Sequence, residues 1–129
     1  MNEPTTPIDA YKAIIDQLVG ETRLLGSSDR VAESGTFSNA PAHHGFNQFI
    51  RLLSPEHRVL LSQMLQEERD GTIHDVLAAL TWWITARGVG LTFHGQPMPV
   101  EVSGMGLHGD YVGRQDGWNW PSSAEGGKG

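Results

Sequence analysis

Residues 74–87 read HDVLAALTWWITAR, a stretch whose apolar residues recur at helical spacing. One stripe of this helix comprises Ile73, Val76, Leu77, Leu80 and Ile84, with Trp83 at its edge. Trp82 falls on the opposite side among alanines, and the only charged residues are Asp75 and Arg87. A helix that is apolar on both sides must be covered on both sides. We expect the preceding helices to cover one side, and either the following chain or a second copy to cover the other.

The composition of the chain excludes several classes of protein. Its 129 residues suffice for one domain with a single core, and the absence of cysteine excludes disulfides and cysteine-ligated zinc. A formal charge of −6, with nine Lys and Arg in no cluster, argues against nucleic acid as a partner. No apolar run reaches the roughly 20 residues of a membrane span, and the polar start MNEPTTP is not a secretory signal. We expect a soluble cytoplasmic protein that does not bind membranes.

An amphipathic helix is predicted near the start of the chain. Thr6 is a good cap, Pro7 suits the first helical position, and Asp9 completes a capping-box spacing. Apolar residues then recur at helical intervals up to about Gly26. The following residues are rich in Ser, Gly, Asn and Ala without a sustained period, so residues 26–41 are expected to form a long loop.

Two further helices are predicted before the apolar one. The first covers roughly 42–53, with its phenylalanines facing inward. Ser54-Pro55-Glu56 starts the second, and Gly71 is expected to stop it. Thr72 and Asp75 stand at capping-box spacing, so the apolar helix is expected to begin there as a separate element.

After Gly88 the apolar period becomes alternating, which is typical of β-strands. A hairpin around His94–Pro97 places the apolar side chains on one face. The expected pairs are Phe93 with Met98, Leu91 with Val100, and Val89 with Val102. Pro97 and Pro99 lack the amide hydrogens that a two-residue Gly95-Gln96 turn requires, so a four-residue loop is expected. We predict a small ribbon lying on the apolar helix.

Residues 104–121, GMGLHGDYVGRQDGWNWP, predict an irregular segment fixed by its aromatic side chains. Five glycines permit tight bends, while Tyr111 and the two following tryptophans are spaced to pin the segment. The closing residues SSAEGGKG have nothing to bury, so we expect one domain over 1–121 and a disordered tail over 122–129. The expected fold class is α+β, mainly α: four helices followed by a short antiparallel β-hairpin and a glycine- and aromatic-rich C-terminal strap.

The most specific polar motif is His108-x-Asp110 in the strap, and His94 lies nearby in the hairpin loop. A histidine oriented by a carboxylate can act as a general base or a metal ligand, which makes these three residues the catalytic candidates. Alternatively, Asp110 caps backbone amides in a glycine-rich loop. The pattern also matches half of a two-histidine-one-carboxylate iron site, but no histidine follows Asp110. We predict neither a metal nor a cofactor.

Arg114 lies between Tyr111 and Trp118, where it can bind an anionic ligand or stack on an indole. Arg114, Tyr111 and Trp118 are therefore candidates for ligand binding, together with Trp83. Pairing with a local acid, Asp110 or Asp116, is the favoured alternative.

Trp82 and Trp83 are adjacent indoles on different sides of the apolar helix. Trp82, together with Ala78 and Ala86, is a candidate for a dimer interface, whereas Trp83 is a candidate wall of a ligand pocket. The alternative places both indoles in the monomer core.

The sequence contains no phosphate loop, nucleophile elbow or complete catalytic constellation. We therefore expect a non-enzymatic interaction or regulatory module that forms a homodimer. The alternative is a small-molecule-binding protein or enzyme with a pocket between the Trp82/Trp83 helix and the 104–121 strap. The residues that would serve that pocket are His94, His108, Asp110 and Arg114.

Overall fold

The structure is a computed structural model that describes residues 3–100 and 102–121. Its helices are α1 (Pro7–Gly20), α2 (Ser28–Ser34), α3 (His44–Arg51), α4 (Pro55–Arg87) and α5 (Gly106–Gln115). Strands β1 (Thr92–Phe93) and β2 (Gln96–Pro97) form a two-stranded antiparallel sheet, and 3-10 turns occupy Thr22–Leu25 and Pro41–His43. The expected class is confirmed, because four helices precede a short antiparallel hairpin in a mainly α chain. The expected tail over 122–129 lies outside the described residues.

The chain divides into two compact units. The 23–72 unit comprises Arg23–Thr72, and the terminal unit comprises the described residues before and after it. The division falls within α4, so a single domain over 1–121 stays a prediction. Among residues 3–100 and 102–121, no helix is both long and apolar enough to cross a membrane.

Helix α1 begins as the sequence predicts. Thr6 Oγ1 accepts a hydrogen bond from the Asp9 amide at 3.2 Å, and Pro7 is the first helical residue. The helix ends at Gly20, earlier than the expected end near Gly26, and the chain tightens into a 3-10 turn. The next leucines, Leu24 and Leu25, are exposed, so a longer helix would have gained little burial.

The segment 26–41 is not the expected long loop, because its first half forms α2. Val31 is fully buried, and Gly35 ends the helix in the left-handed conformation at φ 67°. This helix could not be recognised from the sequence. It has seven residues and one large buried side chain, so its apolar residues show no helical period.

Helix α4 is one helix of 33 residues and not the two that were expected. Gly71 lies in its interior, and the Thr72 hydroxyl donates to the carbonyl of Glu68 instead of capping a new helix. A glycine in a helix interior costs about 1 kcal/mol relative to alanine, and the hydrogen bonds of a continued helix outweigh that cost. The helix ends as predicted at Arg87, and Gly88 follows with φ 73°.

The hairpin differs from its predicted register by two residues. His94 and Gly95 form a two-residue turn, both with positive φ, and the pairs are Thr92 with Pro97 and Phe93 with Gln96. The next ladder bond runs from the Met98 amide to the Leu91 carbonyl at 2.8 Å. Prolines 97 and 99 therefore occupy positions where the partner strand needs no amide hydrogen. A shift of two residues keeps the same side chains on one face.

The terminal unit has one apolar core. Its buried members are Ala10, Tyr11, Ile15, Leu77, Met98, Val100, Leu107 and Tyr111. Phe93 of the hairpin lies beside α1, where it lines a groove with Ala10 and Ile14. The ribbon was expected to lie on the apolar helix. In the structure, α1 also packs against the hairpin.

The expected irregular strap contains a regular helix, α5. Thr81 of α4 fixes its start, because the Thr81 hydroxyl accepts from the Leu107 amide at 3.0 Å while donating to the Leu77 carbonyl at 2.9 Å. Gly106 has φ 80°, and a Cβ there would lie 2.8 Å from Thr81 Cγ2. Only glycine fits both that backbone conformation and that contact.

We expect Gly106→Ala to lower the free energy of unfolding by about 2–4 kcal/mol, because strained φ alone costs about 1–3 kcal/mol and Thr81 cannot move without losing its hydrogen bonds. Urea unfolding followed by circular dichroism measures the change. Gly20→Ala is the control, since a Cβ at Gly20 meets nothing within 4 Å. Equal stability of the two variants would contradict the assigned role of Gly106.

Candidate functional site

The contact between α1 and α5 contains a buried polar pair. The Tyr11 hydroxyl donates a short hydrogen bond to Asp110 Oδ2, and both side chains are essentially inaccessible to solvent. Asp110 Oδ1 has no hydrogen-bond partner among the described residues. Burial raises the pKa of Tyr11 above its usual value, and the hydrogen bond to Asp110 and the charge of that carboxylate raise it further. Tyr11 is therefore neutral at physiological pH.

A second polar set joins the same two helices. Arg114 Nε donates to Asp16 Oδ1 at 2.7 Å, and the Trp120 indole donates to Asp16 Oδ2 at 3.0 Å. Arg114 Nη1 also donates to the Trp118 carbonyl, and its guanidinium lies 5.4 Å from the Trp120 ring centre. The favoured pairing of Arg114 with an acid is present, but the acid is Asp16 of α1 and neither Asp110 nor Asp116.

The three catalytic candidates point to different places. Asp110 faces α1, whereas His108 Nδ1 lies 3.4 Å from Thr81 Oγ1 and its ring contacts His74 at 5.2 Å between centroids. His94 is exposed in the hairpin turn with φ 49° and packs on Phe93. The structure therefore does not bring these three side chains together, and their catalytic role stays a prediction.

The metal-ligating side chains of the described chain are also dispersed. No group of three or more His, Cys, Asp and Glu among residues 3–100 and 102–121 is close enough to hold a metal ion. His74 and His108 are in contact, and Asp75 Oδ1 lies 3.1 Å from His74 Nδ1, but Asp75 is largely exposed.

The aromatic candidates for ligand binding differ in their exposure to solvent. Tyr111 is fully buried in the core, and Trp118 is half-buried with its ring 3.4 Å from where a Cβ of Gly113 would lie. Trp83 is half-exposed on α4. Trp83 is the most exposed of these three, and ligand binding by the set stays a prediction.

The described chain does not cover the second side of the apolar helix. Trp82 and Trp83 are 51% and 49% exposed, and Val76 and Leu80, which were expected to face inward, are 55% and 40% exposed. The alternative that places both indoles in the monomer core is therefore wrong, and so is the expectation that the preceding helices cover Val76 and Leu80. We call the exposed surface formed by Asp75, Val76, Ala79, Leu80, Trp82, Trp83, Ala86 and Arg87 the α4 face.

Trp82, Trp83 and Arg87 contact one another at the C-terminal end of the α4 face. The rings of Trp82 and Trp83 meet edge to face, 5.3 Å apart and at 88°. The Arg87 guanidinium lies 5.4 Å from the Trp82 ring and 5.9 Å from the Trp83 ring. Of the predicted interface residues, Trp82 and Ala86 are exposed on this face, whereas Ala78 is half-buried.

The 23–72 unit carries two open depressions of about 300 Å³ each. One is apolar and lies between α3 and α4, with Phe46, Phe49 and Leu61 in its wall. The other is lined by both polar and apolar residues, among them Arg30, Phe37 and Arg69. Sequence reasoning missed both, because their lining residues come from separate elements.

The comparisons with known proteins give a family without a known activity. A family model described as "Family of unknown function (DUF6547)" matches residues 4–122. No curated protein and no solved structure matches the chain. Function is therefore inferred from the geometry of the site.

We expect the free energy of unfolding to fall above pH 10 because of Tyr11. A raised folded-state pKa gives stability that is complete below the unfolded-state pKa of about 10 and is lost as pH rises toward the folded-state pKa. The loss is at most about 1.4 kcal/mol per pH unit from this group. Tyr11→Phe should cost about 1–3 kcal/mol at pH 7, since it leaves the Asp110 carboxyl without its partner.

Urea unfolding of the wild type and of Tyr11→Phe, repeated at pH values from 7 to 11, measures the difference between their free energies of unfolding. The gap in stability between wild type and Tyr11→Phe should be constant up to about pH 9 and should narrow above pH 10. A gap that stays constant to pH 11 would show that the Tyr11 hydroxyl titrates equally in both states.

Proposed function

The chain belongs to this family of unknown function, and we propose that it is a non-enzymatic interaction module whose copies associate through the α4 face. The observation that carries the proposal is the half-exposure of Trp82 and Trp83 side by side on one helix. The alternative of a pocket enzyme receives less support, because Asp110 is enclosed and Arg114 is bound to Asp16.

Covering the α4 face would release a substantial free energy. A tryptophan buries about 150–250 Å² when fully covered, so two half-exposed indoles leave roughly 200 Å² to bury. At about 25 cal/mol per Å², that area corresponds to roughly 5 kcal/mol for each copy before association costs. Tryptophan is also among the residues that dominate binding energy in interfaces.

The spacing of the α4 face suits a second copy of the same helix. Val76, Ala79, Trp83 and Ala86 are separated by three, four and three residues, which is the spacing of a helix-pairing seam. If two copies cross antiparallel with their two-fold axis near Thr81, Trp83 of each lies opposite Ala79 of the other. Val76 then lies opposite Ala86, so each large side chain meets a small one.

Charge supports the antiparallel arrangement over the parallel one. Asp75 and Arg87 are exposed at opposite ends of the α4 face. The same two-fold axis brings Asp75 of one copy toward Arg87 of the other, giving two symmetric ion pairs. A parallel arrangement would place like charges together, which costs stability.

We expect light scattering after size-exclusion chromatography to give a mass of about twice 14.1 kDa for the wild type. Trp83→Glu should give a monomer or weaken association by at least about 30-fold, because it places a charge at the centre of the seam. Val112→Glu is the matched control, since Val112 is an exposed apolar residue on α5. A monomeric wild type, or a Trp83→Glu variant that still dimerises, would refute the proposal.

A charge exchange tests the orientation. Asp75→Lys and Arg87→Glu should each weaken the dimer, while the double variant should recover most of the loss because the pairs re-form with reversed sign. Sedimentation velocity measures the three dissociation constants. If the losses of dimer affinity add in the double variant, the antiparallel pairing is rejected. Dimerisation itself is tested separately by the Trp83→Glu experiment.

A further inference from the structure

Two histidines that are distant in sequence meet between α4 and α5. The ring centres of His74 and His108 are 5.2 Å apart, and both side chains are partly accessible to solvent. We propose that these two imidazoles bind one divalent transition-metal ion, such as zinc, through their Nε2 atoms, with water completing its coordination. The sequence does not predict this pair, because its members lie on separate elements of the terminal unit.

The separation of the two rings suits a shared ion. Each bond from zinc to an imidazole nitrogen is about 2.0–2.1 Å long, so two imidazoles on one tetrahedral zinc have ring centres about 5 Å apart. The observed 5.2 Å agrees with that separation, so α4 and α5 need not move. His74 and Asp75 have side chains that are 40% and 83% exposed, which leaves them room to turn together toward His108.

Thr81 determines which nitrogen of His108 carries the proton. The only hydrogen of the Thr81 hydroxyl is donated to the Leu77 carbonyl at 2.9 Å, and its oxygen also accepts from the Leu107 amide at 3.0 Å. Toward His108 Nδ1, which is 3.4 Å away, that oxygen can therefore only accept, through its second lone pair. His108 Nδ1 thus carries the hydrogen, and Nε2 of the neutral ring keeps the lone pair that a metal needs.

Asp75 has the same effect on His74. Asp75 Oδ1 lies 3.1 Å from His74 Nδ1, and an ionised carboxylate can only accept, so Nδ1 is the donor. The lone pair of the neutral His74 ring is then on Nε2. Metal-binding histidines almost always donate their other ring hydrogen to an acceptor that fixes the tautomer and the ring orientation. Both histidines of this pair already have such an acceptor.

The donor set determines the class of metal. Imidazole nitrogen suits zinc, copper and nickel, whereas calcium and magnesium require oxygen ligands. Within residues 3–100 and 102–121, no third His, Cys, Asp or Glu joins the pair in a group able to hold a metal. Water must therefore supply the other ligands, so we expect weaker and more reversible binding than at a structural zinc site with four protein ligands.

A metal at this position would join two helices that are far apart in the chain. His74 belongs to α4 and His108 to α5, so the unfolded chain does not hold the two imidazoles together. An ion that binds the folded state only shifts the equilibrium toward that state. Zinc should therefore raise the melting temperature of the protein, and a chelator should reverse the effect. Neither histidine is part of the α4 face, so this proposal does not depend on dimerisation.

The test is a titration of the full chain, without an affinity tag, with zinc chloride at about pH 7.5, where unperturbed histidines are neutral. Calorimetry should show one ion bound per chain. Imidazole ¹H–¹⁵N spectra of labelled protein should show the ring resonances of His74 and His108 shifting together, and EDTA should reverse the shifts. Magnesium chloride is the control ion and should leave both rings unchanged. Equal shifts with magnesium would overturn the proposal, as would zinc shifts confined to other histidines.

Variants test whether both imidazoles are ligands. His74→Asn and His108→Asn should each weaken zinc binding by at least about tenfold, because each removes one ligand. His57→Asn is the matched control, since it removes an exposed histidine in the first turn of the same helix α4, and it should change the affinity less than about twofold.

Circular dichroism melts show which of these variants fold. The proposal is overturned if zinc does not bind, if either folded variant binds zinc as tightly as the wild type, or if His57→Asn weakens binding as much as His74→Asn. If His108→Asn does not fold, His74→Asn and the joint shift of the two rings in the wild type decide the result. The mass from light scattering of His74→Asn should equal that of the wild type, which separates metal binding from association through the α4 face.

Discussion

The Tyr11 hydroxyl and the Asp110 carboxyl meet inside the contact between α1 and α5, and the terminal unit depends on that meeting. A buried polar group that loses its partner costs about 1–3 kcal/mol, so the two helices reach full stability in one register only. Apolar side chains such as Ile15 and Leu107 would tolerate small shifts. The second polar set, Asp16 with Arg114 and the Trp120 indole, selects the same register from the solvent side.

Local signals predicted the parts of the fold that local chemistry controls. Thr6 caps α1 as expected, and Ser54 Oγ accepts from the His57 amide at the start of α4. Two of the failures arose where a continued helix or a tertiary contact outweighed a local preference of about 1 kcal/mol. Gly71 did not stop α4, and the glycines of α5 did not prevent a helix, because Thr81 supplies its first hydrogen bond from 26 residues away. The α2 helix was missed because its single buried valine gives no period.

The candidate site was predictable only where sequence neighbours are also spatial neighbours. His108 and Asp110 are two residues apart, but on a helix that separation turns side chains about 200° from each other, and the helix itself was not foreseen. The acid for Arg114 lies 98 residues earlier, beyond any local pattern. The apolar character of α4 was clear, yet which side stays exposed depends on where α1, α5 and the hairpin pack. Arg30 and Arg69, which line one depression of the 23–72 unit, are likewise separated by most of that unit.

The partners of the buried pair are 99 residues apart, which bears on how the protein is made. A ribosome adding roughly 5–20 residues per second produces Asp110 about 5–20 s after Tyr11. Throughout that interval the nascent α1 carries an apolar side with no α5 to receive it, whereas the contiguous 23–72 unit is completely synthesised before Asp110 is reached. The middle of the chain can therefore fold while the core that joins its flanks is still incomplete. The interval in which a chaperone would be needed is thus set by the separation of two residues along the chain.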